Sequence, residues 1–314
     1  MVTKVIDTLF YFILNMSIAA SVIGVFIILL RFFKIIPRIG IYMLWGLVFL
    51  RLVLPFALSS RMSIFNYLGG IVKRVEEVHL KYIAYEPNIT PTFSNYVGTA
   101  ETLFPVVYRE TYFKTAFSIS SYVWIAGVVV SIIIISILYF FSKIEFDKSI
   151  HLRDNIYISN SVQSPMVYGV FKQKIIIPRE FKKELKYILL HENIHIKRRD
   201  NFLRMLSIFI VCIHWFNALM WLFLMIFLKD MEITCDQKAV RTLSTKQKRE
   251  YAHVLLNMNT NRNGVIYTAF KSSNTRTRVL NVLNYERLSI IGAGLSVVFV
   301  ILMIIVFLTN PVIP

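Results

Sequence analysis

Cysteine, acidic side chains and internal repetition are what this 314-residue chain has least of. Its two cysteines, Cys212 in an apolar run and Cys235 among polar residues, exclude the disulfide framework that staples small secreted domains. No segment recurs at a fixed period and none is of low complexity, so a solenoid is excluded as well. Only 18 Asp and Glu stand against 35 Lys and Arg, for a net charge of +17. Such an excess can serve nucleic acid, but in an apolar chain lysine and arginine first fix membrane topology, and direct nucleic-acid binding is not expected. A cleavable leader is missing too. The first apolar block follows a single lysine, is too long, and runs into Arg31 instead of a small-residue cleavage site.

What is abundant is apolar surface: 56% of residues are hydrophobic and the mean hydropathy is +0.60. The excess sits in four blocks, Leu9 to Leu30, Gly40 to Leu58, Tyr122 to Phe141 and Ser289 to Leu308. Each approaches the ~20 residues a helix needs to cross hydrocarbon. The turn from Arg31 to Arg38 holds three positive and no negative charges, which places it in the cytoplasm. The expected organisation follows. Residues 1–58 form two transmembrane helices, 59–121 an extracellular loop, 122–142 a third span, 143–288 a cytoplasmic domain and 289–309 a fourth span. The charge count agrees: residues 143–288 carry 24 basic against 12 acidic residues, and residues 59–121 carry 6 against 5.

Within 143–288, strands are expected at 155–159, 166–168 and 174–177, with the turn of the last pair at Gly169 to Gln173. A helix is expected from about Arg179 to Arg199, with Glu180 and Glu184 near its start and Lys197, Arg198 and Arg199 near its end, both suited to the helix dipole. The apolar stretch 202–228 reads as a hairpin of two short helices turning near Trp215-Phe216-Asn217. Residues 229–243 and 246–258 read as two more helices. Residues 259–277 are a polar loop.

His191-Glu192-Asn193-Ile194-His195 fits H-E-x-x-H. Residues four apart on a helix share a face, so both imidazoles can reach one metal ion, and zinc suits imidazole. Glu192 stands beside the first ligand, where a general base belongs. A third ligand is expected from a later helix, where Glu232 and Asp236 lie one turn apart. Glu232 could ligate the metal while Asp236 accepts a hydrogen bond from a ligand imidazole. Cys235 is expected to point off that face as core packing, His214 to be a hydrogen-bonded structural histidine, and Arg51 to face the helix bundle or a carboxylate.

Taken in order, Leu44-Trp45, Arg51 and Pro55, then Ser164-Pro165, Gly169, Ile177-Pro178, the run from His191 to Asp200, His214-Trp215-Phe216-Asn217 and Glu232-Ile233-Thr234-Cys235-Asp236 resemble the BlaR/MecR-type integral membrane metallopeptidases. The resemblance implies a mainly α membrane protein, four transmembrane helices carrying a cytoplasmic α+β gluzincin-like zinc metallopeptidase domain, with Glu232 as third zinc ligand. It implies signalling by proteolysis. The expected partners are the bilayer, a protein substrate (a transcriptional repressor among the candidates) and a second copy of the chain. Family receptors carry an extracellular penicillin-binding domain after the last span; this sequence ends at Pro314, and a β-lactam stimulus is not expected. Self-cleavage is expected near Ala269–Phe270, within the extended apolar stretch Val265 to Phe270, with substrate added as a strand to an edge of the 155–178 strands. Two other readings stay open: a non-enzymatic signalling or immunity-type protein with a structural zinc site, and a housekeeping zinc protease of the prenyl-protease or heat-shock type.

Overall fold

A computed structural model describes residues 2–32, 36–55, 60–64, 66, 111–160, 162, 164–179, 185–260, 275–286 and 290–309. Most of the expected extracellular loop and the Val265–Phe270 stretch lie outside the described residues, as do Glu180 and Glu184. The helices are α1 (Val2–Leu30), α2 (Arg38–Val53), α3 (Thr111–Asp147), α4 (Leu185–Arg198), α5 (Asp200–Ile213), α6 (Ala218–Val240), α7 (Thr245–Thr260), α8 (Thr275–Leu283) and α9 (Ile290–Leu308). The strands β1 (Ile150–Arg153), β2 (Ile156–Ser159), β3 (Met166–Tyr168) and β4 (Lys174–Pro178) lie between α3 and α4. The chain divides into two compact units.

The first unit takes in α1, α2, the start of α3 up to Val129, residues 213–220 and α9. Among the described residues, two helices are long and apolar enough to cross a membrane, Val5–Leu30 and Thr115–Asp147, and a shorter apolar stretch covers Gly294–Leu308. Only 6% of the apolar window in α3 is buried, whereas the core helix of a soluble protein would be mostly covered. α2 packs on both α1 and α9, and its Arg51 is buried within the unit.

The turn between α5 and α6 belongs to this unit and is fastened by polar groups. Asn217 donates its amide to the hydroxyls of Ser17 and Ser21, both at 2.9 Å, while its Oδ1 accepts from the Leu219 N–H and caps α6. The Trp124 indole donates to the Ile213 carbonyl at 2.8 Å, and the Trp215 indole donates to the Trp124 carbonyl at 3.1 Å. His214 Nε2 lies 3.1 Å from the Leu52 carbonyl, the structural role expected for it. A Cβ at Gly127 would stand 2.2 Å from the Trp215 ring, so only glycine admits the indole. A turn exposes backbone groups that hydrocarbon cannot satisfy, and this one finds them partners in protein. The hairpin's second arm is not short, however. α6 runs unbroken to Val240, because no glycine or proline interrupts it, so the helix expected to begin at 229 is its continuation.

The second unit holds the sheet, in the order β1-β2-β4-β3. β2 and β4 are parallel, and β1 and β3 pair antiparallel on either side. The expected β3–β4 turn is present, and Gly169 adopts φ +92 there, where a Cβ would meet the Lys172 carbonyl at 2.4 Å. β1 had no alternating signal in the sequence; it follows from a tight turn at Asp154, φ 47, a left-handed conformation that aspartate tolerates. Ile156, Val167, Ile175 and Ile177 of the sheet share a core with Tyr187, Ile188 and Ile194 of α4, Ala239 and Val240 of α6, Tyr251 of α7 and Val282 of α8. That core fixes α4, α6, α7 and α8, which carry most of the site.

Candidate metal centre

α4 brings His191 and His195 to one buried face, ring centroids 4.6 Å apart and Nε2 atoms 3.0 Å apart. What sets the rings is the chain behind them. α4 does not run through Arg199, as the sequence had suggested. It ends at Arg198, and Arg199 turns into the left-handed region at φ 55. That reversal starts α5 at Asp200, which returns its Oδ2 to 2.6 Å from His195 Nδ1. A carboxylate only accepts, so Nδ1 carries a proton and Nε2 is the nitrogen that can offer a lone pair to a metal ion. His191 is held the same way. Its Nδ1 lies 2.8 Å from the Tyr251 hydroxyl, which in turn donates to Asp236 at 2.7 Å, and Asp236 Oδ1 is itself 3.2 Å from Nδ1.

Both lone pairs therefore converge on one point, and Glu232 joins them. Its carboxylate lies 3.5 Å from His191 Nε2 and 3.8 Å from His195 Nε2. Three acceptors converging in a buried pocket call for a cation, and two imidazoles with a carboxylate suit a divalent transition metal. Cys235 is the second candidate third ligand. With His191 and His195 it forms the one group of three metal-binding side chains found among the described residues. The expectation that Cys235 points off this face is wrong, for a plain helical reason: Glu232, Cys235 and Asp236 stand three and four residues apart and share a face of α6. The thiol, however, lies 3.6 Å from His191 Nδ1, the nitrogen already engaged by Tyr251, and 3.6 Å from the His191 carbonyl. The Nε2 lone pairs face Glu232. The thiol is hydrogen-bonded to His195 as well, so the carboxylate and the thiol are both within reach of the two rings.

Two residues unforeseen from the sequence complete the centre. Arg278 of α8 is buried and grips Asp236 with two prongs, Nε to Oδ2 at 2.6 Å and Nη2 to Oδ1 at 2.8 Å. Its Nη1 is 3.4 Å from Glu232 Oε2, and its Nη2 is 3.3 Å from His191 Nε2. Arg204 of α5 lies 3.4 Å from the other Glu232 oxygen. Glu192, next to His191, is buried and makes no hydrogen bond or ion pair among the described residues. Arg204 also borders an apolar cavity of about 140 Å³ lined by Tyr139, Phe146, Val167, Tyr168 and Met205. The edge of β3 beside it is closed, because the Asn201 amide donates to the carbonyls of Val167 and Gly169. The open edge is β1, all four of whose residues are exposed.

Electrostatics follow from this packing. Burial alone would lower the pKa of His195, but the charges of Cys235 and Glu232 and the Asp200 hydrogen bond outweigh it and hold the ring at about 9. Burial likewise opposes His191, which Cys235, Tyr251 and Asp236 carry well above the ordinary value. Burial would raise Glu232, yet His195, His191 and Arg278 keep it well below the carboxylate range. Asp236 is depressed against burial by Arg278 and His191.

A family model described as BlaR1 peptidase M56 matches residues 11–282, most of the chain. The chain belongs to this family. It is 27% identical over 169 residues, half of its length, to the regulatory protein BlaR1 of Bacillus licheniformis. It is 28% identical over 156 residues to the methicillin resistance mecR1 proteins of Staphylococcus aureus and Staphylococcus epidermidis. The chain spans 28% of that BlaR1 and 26% of each mecR1 protein. The M56 membership covers every element that carries the centre.

A ring that binds a proton up to about pH 9 must release it to a metal ion. Divalent-metal affinity should therefore rise from pH 6.5, by about tenfold per pH unit for each proton displaced, and level off near pH 9. Competition against a chromophoric chelator across that range checks this, and a flat profile contradicts it.

Proposed function

We propose that the chain is a membrane-bound zinc endopeptidase that cleaves a protein substrate on the cytoplasmic side as a step in regulatory signalling. The observation that carries this reading is the convergence of His191 Nε2, His195 Nε2 and the Glu232 carboxylate, with Glu192, unpaired among the described residues, buried alongside. His191, His195 and Glu232 would hold the ion. Zinc, when bound, supplies a Lewis acid for the scissile carbonyl. Glu192 takes a proton from the attacking water and hands it to the amide nitrogen as the C–N bond breaks. Asp200 and Asp236 fix the ring planes through Nδ1, and Asp236 does so with Tyr251. The apolar cavity beside Arg204 suits a large apolar side chain of the substrate, and exposed β1 suits an added substrate strand. A transcriptional repressor and the chain's own Ala269–Phe270 bond are the substrates we propose.

A second reading deserves a place because of Cys235: a structural centre of His191, His195 and the thiol, in a non-enzymatic signalling protein. Such a centre has no use for a buried, unpaired Glu192. The housekeeping alternative gives way to membership of the M56 family.

For topology we propose four spans, α1, α2, α3 and α9, with both chain ends outside and residues 143–288 inside. The α5–α6 hairpin would enter from the cytoplasmic side without crossing.

Substituting Glu192→Gln should reduce proteolysis by about a hundredfold or more while leaving roughly one metal per chain, since a base and not a ligand is lost. Glu232→Gln should lose most of the metal. Mass spectrometry of self-cleavage fragments and metal analysis of both variants decide; the reverse pattern would mean that the two glutamates have been exchanged. For topology, cysteines introduced at Lys34 and Asn263 should resist an impermeant thiol reagent in intact cells, while those at Asn95 and Asn310 should react. Labelling at Asn263 would put the centre on the wrong side of the membrane.

A further inference from the structure

Arg278 is a buried cation in the centre that neither the motif nor the ligand set calls for. Its side chain is buried, and burying a guanidinium demands partners for its five N–H donors. Asp236 satisfies the Nε hydrogen and one on Nη2, at 2.6 and 2.8 Å. The remaining donors face His191 Nε2 at 3.3 Å and Glu232 Oε2 at 3.4 Å, both long for charge-assisted hydrogen bonds. Those two atoms are also the ones the proposed function assigns to the metal. A lone pair given to a metal ion is not available to an N–H donor.

With a metal ion on those two atoms, the outer donors of Arg278 would stay at the centre without an acceptor of their own. From this arrangement we propose that Arg278 is an anion-binding residue of the site, whose outer N–H groups, once the metal holds His191 and Glu232, take the carbonyl oxygen of the scissile peptide as it gains negative charge. The assignment rests on the metal-centre reading above. Asp236 is the reason the geometry persists: it spends its charge on the inner edge of the guanidinium and leaves the outer edge, still cationic, toward the reacting group. Pre-aligned donors in a pocket shut off from water are the arrangement that stabilises developing oxyanions most effectively. Sequence distance hid this residue, since it lies in a nine-residue helix far along the chain from the H-E-x-x-H motif.

The alternative is that Arg278 only braces Asp236, and so His191. Anion binding separates the two. The full chain in detergent, loaded with cobalt(II), is titrated with methylphosphonate, a small tetrahedral anion, and separately with neutral imidazole. The visible cobalt spectrum reports both. Arg278→Gln should weaken methylphosphonate by roughly tenfold or more, the effect of one charge-assisted hydrogen-bond pair. Imidazole should bind as before, and Arg278→Lys, which keeps the charge, should fall between. Equal methylphosphonate binding in wild type and Arg278→Gln overturns the assignment, as does a cobalt-loaded wild type that ignores methylphosphonate. Should Arg278→Gln fail to hold cobalt, the pair Asp236→Asn/Arg278→Gln, which leaves no unpaired buried charge, is measured in its place. If that pair also fails, Arg278 serves only to build the site and the proposal is wrong. A wild-type chain that takes up no cobalt at all overturns the metal centre itself, a failure distinct from the others.

Discussion

Two imidazole nitrogens 3.0 Å apart, lone pairs facing and out of contact with water, cost free energy unless each ring is held from behind and a cation sits in front. The rest of the second unit can be understood from that constraint. Asp200 holds one ring, and Tyr251 with Asp236 the other, all three through Nδ1. Each of these residues comes from a different helix. The centre therefore exists only when α4, α6 and α7 are docked on the sheet through the shared core and α5 returns Asp200 to His195. Removing any one of these supports leaves a buried donor without its acceptor, which is dearer than removing the pair.

The buried charges balance in the same spirit. Glu232 and Asp236 are flanked by Arg278, and Glu232 by Arg204 as well. A carboxylate held far below its usual pKa stays ionised throughout the physiological range, so Glu232 presents a negative charge to the two rings. Metal binding and proton release are for this reason two descriptions of one event at His191 and His195.

Much of this was legible in the residues. The i, i+4 spacing gave His191 and His195, the acidic pair one turn apart gave Glu232 and Asp236, and Trp215-Phe216-Asn217 marked the hairpin turn. What escaped did so for physical reasons. Asp200 depends on Arg199 entering a left-handed conformation that its identity does not announce. Cys235 was misjudged because adjacency to Asp236 weighed more than its three-residue offset from Glu232, and that offset is a helical neighbour. Arg278 is brought in by tertiary packing of α8 alone, with no local signal. β1 lacks alternation because it is an exposed edge with no buried face to impose it. Which edge of the 155–178 strands stays open was not legible, because Asn201, which caps the carbonyls of Val167 and Gly169, comes from a different element.

The central claim is that the metal is held by two imidazoles and the Glu232 carboxylate, leaving the Cys235 thiol outside the coordination sphere. Zinc K-edge X-ray absorption on the detergent-purified full chain reads this directly. Our account predicts a first shell of nitrogen and oxygen alone, at about 2.0–2.1 Å. A sulfur scatterer at about 2.3 Å would place Cys235 on the metal and contradict it.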